Sequence, residues 1–184
     1  MVALSEELAR VVEAAGRFAG ITEEVAAVIP TEPEPGVRIY LCAYGPGEPR
    51  AWLALDSDAR PVESRALVRD AVTIAAMCEI AEEAAGGGDL MELRARLDEL
   101  RHTEAPPGIE EAEEAALELE RAIGSTPRLA SPAYLDTMGA ATRRLERALG
   151  TDTRSPFAET LRLTTASIDE LAREVEASYK LELR

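Results

Sequence analysis

Glu79, Glu82 and Glu83 are spaced to do chemistry together. On a helix, positions three and four apart lie one turn apart, so their carboxylates share a face. A cluster of hard oxygen donors of that kind suits Mg²⁺. Glu110, Glu111, Glu113 and Glu114 repeat the spacing further along the chain. The same residues also read as a solvated helix face, because 35 acidic residues stand against 20 basic ones and carboxylates are common everywhere.

Other reactive residue types are sparse. His102 is the one histidine, so no histidine-rich zinc or di-iron site can be assembled from this chain. Its place near a helix end suits a cation at the negative end of the helix dipole. Cys42 falls in a strand-like run and Cys78 in an apolar helix. Buried in such surroundings a thiol is held protonated and inert, and both read as free thiols in a reducing compartment. Gly86-Gly-Gly88 follows a helix and lacks a Lys-Ser/Thr sequel, so it reads as a turn and not as a phosphate loop.

A Glu-x-x-Glu helix joined to a second acidic helix resembles the all-α nucleotide pyrophosphohydrolases. In that family two helices supply carboxylates to Mg²⁺, and the resemblance implies Mg²⁺-dependent hydrolysis of a nucleotide or phosphate ester, with Glu79, Glu82 and Glu83 as ligands. The family pattern continues with Glu-x-x-Asp on the next helix. This chain reads Glu92-Leu-Arg-Ala95 there and departs from it. The resemblance covers one short motif.

A second group of residues suits binding. Two strand-like runs, Val37–Tyr44 and Arg50–Asp56, alternate with period two around a Gly45-Pro-Gly-Glu-Pro49 turn. Val37, Ile39, Leu41 and Ala43 make an aliphatic face with Ala51, Leu53 and Leu55. The other face is expected to carry Tyr40, Tyr44 and Trp52, with Arg38 and Arg50 beside them. Aromatics and Arg are the types enriched at binding hot spots. Either the N-terminal helices cover this face as a second core layer, or it stays open for a partner.

The elements that must position these groups follow from pattern. Leu4, Leu8, Val11, Val12 and Ala15 share one face of a first helix, with Ser5 as N-cap. A short second helix is expected from about Thr22 to Ile29, then an extended connector over Pro30–Gly36, where three prolines and a glycine crowd seven positions. Asp56–Pro61 reads as a turn, with Pro61-Val62 as a short edge strand. The helix from about Glu63 to Ala85 is apolar round its girth between Ala71 and Cys78 and must be surrounded. Asp89 caps the next helix, with the stripe Leu90, Leu93, Leu97 and Leu100. Ile109, Ala112, Ala116, Leu119 and Ile123 form another stripe. Ser131-Pro132 opens a third helix with Leu135, Met138, Thr142, Leu145 and Leu149, and Ser155-Pro156 a fourth with Phe157, Leu161, Thr164, Ile168, Leu171 and Val175.

Composition bounds the rest. Hydrophobic residues make up 46% and aromatics 4%, with Ala and Leu dominant, which favours helix over strand. A net charge of −15 with no Lys/Arg stripe argues against binding nucleic acid or anionic lipid. The opening Met-Val-Ala-Leu-Ser-Glu-Glu lacks a basic start and an apolar run, so it reads as no signal peptide. The longest nearly apolar run falls well short of the ~20 residues that span a bilayer, so a cytoplasmic protein is expected.

The sequence thus points to an α+β chain, predominantly α, forming a single domain over 1–184. Helices and a connector occupy 1–36, a small antiparallel hairpin or meander 37–62, and a helical bundle 63–184, with the meander packed on the central apolar helix. Two functions are expected. The first is a non-enzymatic interaction protein, a homodimer or the partner of another protein, using the aromatic hairpin face or the C-terminal seam. The alternative is the Mg²⁺-dependent hydrolase.

Overall fold

The computed structural model describes residues 4–18, 21–47, 51–86, 95, 98–99, 101–102, 108–124 and 128–149; within the helices the side chains of 80, 83–86, 123, 142–143 and 145–149 are not described. Helix α1 spans Leu4–Gly16. Strands β1 (Val25–Glu34), β2 (Val37–Tyr44) and β3 (Ala51–Asp56) follow. Helices α2 (Arg65–Gly86), α3 (Ile109–Gly124) and α4 (Pro132–Leu149) complete the described elements. The class is α+β, predominantly α. The chain divides into two compact units, and α2 contributes to both: its residues to Ala76 belong to the first, and those from Met77 to the second.

The first unit is a three-stranded antiparallel meander in the order β1-β2-β3 with a helix on each face. On one face Ile39, Leu41, Ala43, Trp52 and Ala54 pack with Val62 and with Val68, Ala71, Val72 and Ala75 of α2. On the other, Tyr40, Cys42, Tyr44, Ala51, Leu53 and Leu55 pack with Val11 and Ala15 of α1. Two local devices set the approach of α2. Asp56 Oδ1 accepts the backbone N–H groups of Asp58 (2.9 Å) and Arg60 (2.8 Å), closing the expected turn. The Ser64 hydroxyl accepts the Leu67 N–H at 3.3 Å and caps the helix. Val62 N–H donates to the Ala54 carbonyl at 2.9 Å, so the short edge pairing at Pro61-Val62 is present.

The second unit is helical. Its core is built on alanine: Ala81 of α2, Ala112, Ala115, Ala116 and Leu119 of α3, and Met138 and Ala141 of α4, all buried. Alanine at these positions lets helix axes come close, and Met138, fully buried, fills what remains. The expected seam residues Ile109, Ala112, Ala116, Leu119, Leu135 and Met138 all belong to this cluster. The side chains of Ile123, Thr142, Leu145 and Leu149, the Leu90–Leu100 stripe with its Asp89 cap, and the seam from Phe157 to Val175 lie outside the described residues.

Two expectations are corrected. The stretch expected as a helix (Thr22–Ile29) and a connector (Pro30–Gly36) is one strand and a turn. Val28 pairs with Cys42, Ile29 with Leu41, Pro30 with Tyr40 and Thr31 with Ile39. Proline is tolerated because β1 is an edge strand and Pro30 has its nitrogen on the outer side, where no ladder bond to β2 is lost. Pro35 and Gly36 form the turn into β2, with Pro supplying its fixed φ and Gly36 the positive φ of +81°. The second correction concerns faces. Trp52 pairs with Ala43, so it lies on the α2 face, opposite to Tyr40 and Tyr44. On α1, Glu7 takes a buried position and Val12 is 43% exposed, so the buried stripe is rotated from the expected one.

Leu53 of β3, fully buried in the cluster that includes Val11 and Ala15 of α1, tests this packing. Leu53→Ala is expected to lower unfolding free energy by about 2–5 kcal/mol. Urea denaturation measures it, and a loss below about 1 kcal/mol would contradict the described core.

Candidate functional site

Of the three helix carboxylates Glu79, Glu82 and Glu83, the structure describes the side chains of the first two. Glu79 is exposed on α2. Glu82 accepts a hydrogen bond from the Tyr134 hydroxyl of α4 at 3.0 Å, which ties two helices of the second unit together. The Glu83 side chain lies outside the described residues. Among the described residues no group of three or more His, Cys, Asp or Glu side chains is arranged to hold a metal ion. In the second acidic stretch Glu111, Glu114 and Glu118 line up on Arg144 of α4, at 3.9, 2.9 and 2.7 Å. Those carboxylates serve as helix-to-helix ion pairs. His102 Nδ1 donates to the Asp98 carbonyl at 2.7 Å, which suits the helix-end role expected for it.

The hairpin aromatics are core residues. Tyr40 and Tyr44 are 0% and 1% exposed, and Trp52 is 7% exposed. Arg50 lies outside the described residues. The Tyr44 hydroxyl donates to the Ala15 carbonyl at 2.9 Å, at the end of α1. The Trp52 indole N–H is buried without a hydrogen-bond partner among the described residues. Burial pushes the Tyr44 hydroxyl and the Cys42 thiol each up to about 12, so both stay protonated at neutral pH. Cys42 and Cys78 are both buried, and neither forms a disulfide.

Beneath α1 lies a charged network that sequence pattern did not reveal. Glu7 Oε2 accepts from the Tyr40 hydroxyl at 2.8 Å and from Arg38 Nη1 at 2.9 Å. Arg38 Nε lies 3.6 Å from Glu32 Oε2, and Glu32 Oε1 accepts the Gly36 N–H at 3.2 Å. One carboxylate on α1 is thereby tied to β2, and β1 with its turn is tied to the same arginine. The hydrogen bond from Arg38, and then that from Tyr40, hold the Glu7 carboxyl below its ordinary 4.5 despite burial. Tyr40 is raised, by burial first and by its bond to Glu7 second. These groups spend their hydrogen bonds on one another, so the cluster's chemistry is cohesion. Its signal in the sequence was faint: one Glu on the apolar stripe of a helix.

The outer edge of β1 is only partly paired among the described residues. Its far half is occupied: Ala130 N–H donates to the Pro30 carbonyl at 2.9 Å, and Glu32 N–H donates to the Ala130 carbonyl at 2.8 Å. This forms a parallel bridge opposite Thr31. Strand alternation puts the N–H and C=O of Val28 on the same outer side. No described segment pairs there. Ala26 and Ala27 beside it are exposed, and Val25–Ile29 carries no charge and no proline. No protein-family model matches the chain, and neither a curated protein nor a solved structure matches it. No helix among the described residues is long and apolar enough to cross a membrane.

The Glu7 network makes a pH forecast. A carboxyl with a lowered folded-state pKa stabilises the fold above its unfolded value of about 4.5, and that stabilisation fades as pH falls through the folded value. Wild type is expected to exceed Glu7→Gln by about 1–3 kcal/mol at pH 7, with the gap closing on acidification below about pH 4. Denaturant titrations at pH 7 and 3.5 measure it; a gap independent of pH would contradict the assignment.

Proposed function

We propose that the protein is a non-enzymatic, cytoplasmic interaction module that adds an extended segment of another chain to the half of the β1 edge where no described segment pairs. The observation that carries this reading is the Ala130 bridge. The far half of the edge already receives an extended segment through two backbone hydrogen bonds, so the strand's geometry is compatible with further pairing in line with it. Edge strands are ordinarily guarded by lysine, proline, bulges or a covering loop. The half from Pro30 onward has two prolines and the Ala130 segment. The half from Val25 to Ile29 has an irregularity near Ala26 and otherwise small or apolar side chains. Two buried cysteines that form no disulfide support a reducing compartment.

Val28→Pro is the direct test. It removes an outward N–H just as Pro30 does and leaves the bonds to β2 in place. Peptides selected from a random display library on wild type are expected to bind Val28→Pro at least about tenfold more weakly, and Glu79→Ala as well as wild type. Far-UV circular dichroism confirms that the variant folds. Equal binding by Val28→Pro, or no selectable peptide, would overturn the reading.

A further inference from the structure

Resting on that reading of the β1 edge, we infer that its occupant is a basic extended segment of another protein, and not a second copy of this chain. The charges around the edge carry the inference. From Phe18 to Val37 the sequence contains no Lys, Arg or His, and its charged residues are Glu23, Glu24, Glu32 and Glu34. Arg38, next in line, is committed to Glu7 and Glu32. Glu24 and Glu34 are exposed, at opposite ends of the strand. The open stretch of the edge is thus about five apolar residues, roughly 17 Å long, preceded by Glu23 and Glu24 and followed, past Pro30, by Glu32 and Glu34. Lysine or arginine beside an apolar core would meet the carboxylates of Glu23 and Glu24.

Self-pairing fits less well. The Ala130 segment occupies the edge from Pro30 onward, so a two-fold axis has to fall near Ala27. In that antiparallel register Glu24 faces Pro30 of the other copy and Thr22 faces its Glu32. Glu23 and Glu24 then meet no uncommitted cation on the second chain's strand, because its Arg38 is held by Glu7 and Glu32. Each copy also brings a net charge of −15, which opposes association at low ionic strength.

The test uses two synthetic peptides with an alternating valine–threonine core, one flanked by lysines and the other by glutamates. Titration calorimetry on the full chain is expected to give at least about tenfold tighter binding of the lysine peptide, weakening as salt rises. Val28→Pro has the same net charge as wild type and is expected to lose that binding. Should the variant fail to fold, Ala27→Lys at an exposed position serves in its place, with the same expected loss. Binding of the lysine peptide unchanged in Val28→Pro would show cations gathering on an acidic surface, and would overturn the inference. Equal binding of both peptides would overturn the charge class and leave the edge reading standing. So would a wild-type dimer, seen by sedimentation and dissolved by Val28→Pro, with neither peptide bound. A monomer that binds neither peptide would overturn both.

Discussion

Strand β2 has to be buried on both sides. From Ile39 to Tyr44 every side chain is buried, and successive residues point to opposite faces. A sheet of three strands offers too little cover of its own, so a helix is required on each side. The face of Ile39, Leu41 and Ala43 takes α2, and the face of Tyr40, Cys42 and Tyr44 takes α1. The two helices meet different chemistry. The α2 face is dry and aliphatic apart from the Trp52 indole, and alanine and valine suffice. The α1 face carries two phenols whose hydroxyls need acceptors. The Ala15 carbonyl and the Glu7 carboxylate provide them, and Glu7 in turn needs Arg38. A charged residue on the inner stripe of α1 follows from placing tyrosine on that face of β2.

This explains what could be read from the chain and what could not. The α2 helix was legible because an apolar girth between Ala71 and Cys78 admits one interpretation. So was β2, where period-two alternation runs unbroken. Apolar spacing on α3 and at the start of α4 matches their inner faces at Ile109, Ala112, Ala116, Leu119, Leu135 and Met138. The strand β1 was hidden because its signals are ambiguous without a neighbour. Val25-Ala-Ala-Val-Ile29 suits a helix as well as a strand, and Pro30 and Pro33 normally speak against pairing. What decided it was non-local: β2 offered an edge, and proline with its nitrogen outward costs an edge strand nothing. The face of Trp52 was misjudged because register across a turn holding Gly45 and Gly47, both at positive φ, cannot be counted from sequence.

The candidate sites fared differently for related reasons. Carboxylate spacing on one helix says which groups share a face and not what faces them. Glu82 met Tyr134, and Glu111, Glu114 and Glu118 met Arg144, so acidic spacing reads here as helix-to-helix cohesion. The aromatic residues attracted notice by type, yet a tyrosine or tryptophan is as useful in a core as at a binding surface. The β1 edge has no signature in residue type at all. Its character is a matter of the backbone groups that, among the described residues, neither β2 nor the Ala130 segment engages.

Amide hydrogen exchange in the dilute, isolated protein tests that character most directly. The account predicts slow exchange at Ile29 and Leu41, whose N–H groups lie between β1 and β2, and fast exchange at Val28, whose N–H faces outward. Protection of Val28 as strong as that of Ile29 would mean that the edge is already covered by the protein itself. Fast exchange at both Val28 and Ile29 would mean that β1 is not a paired strand.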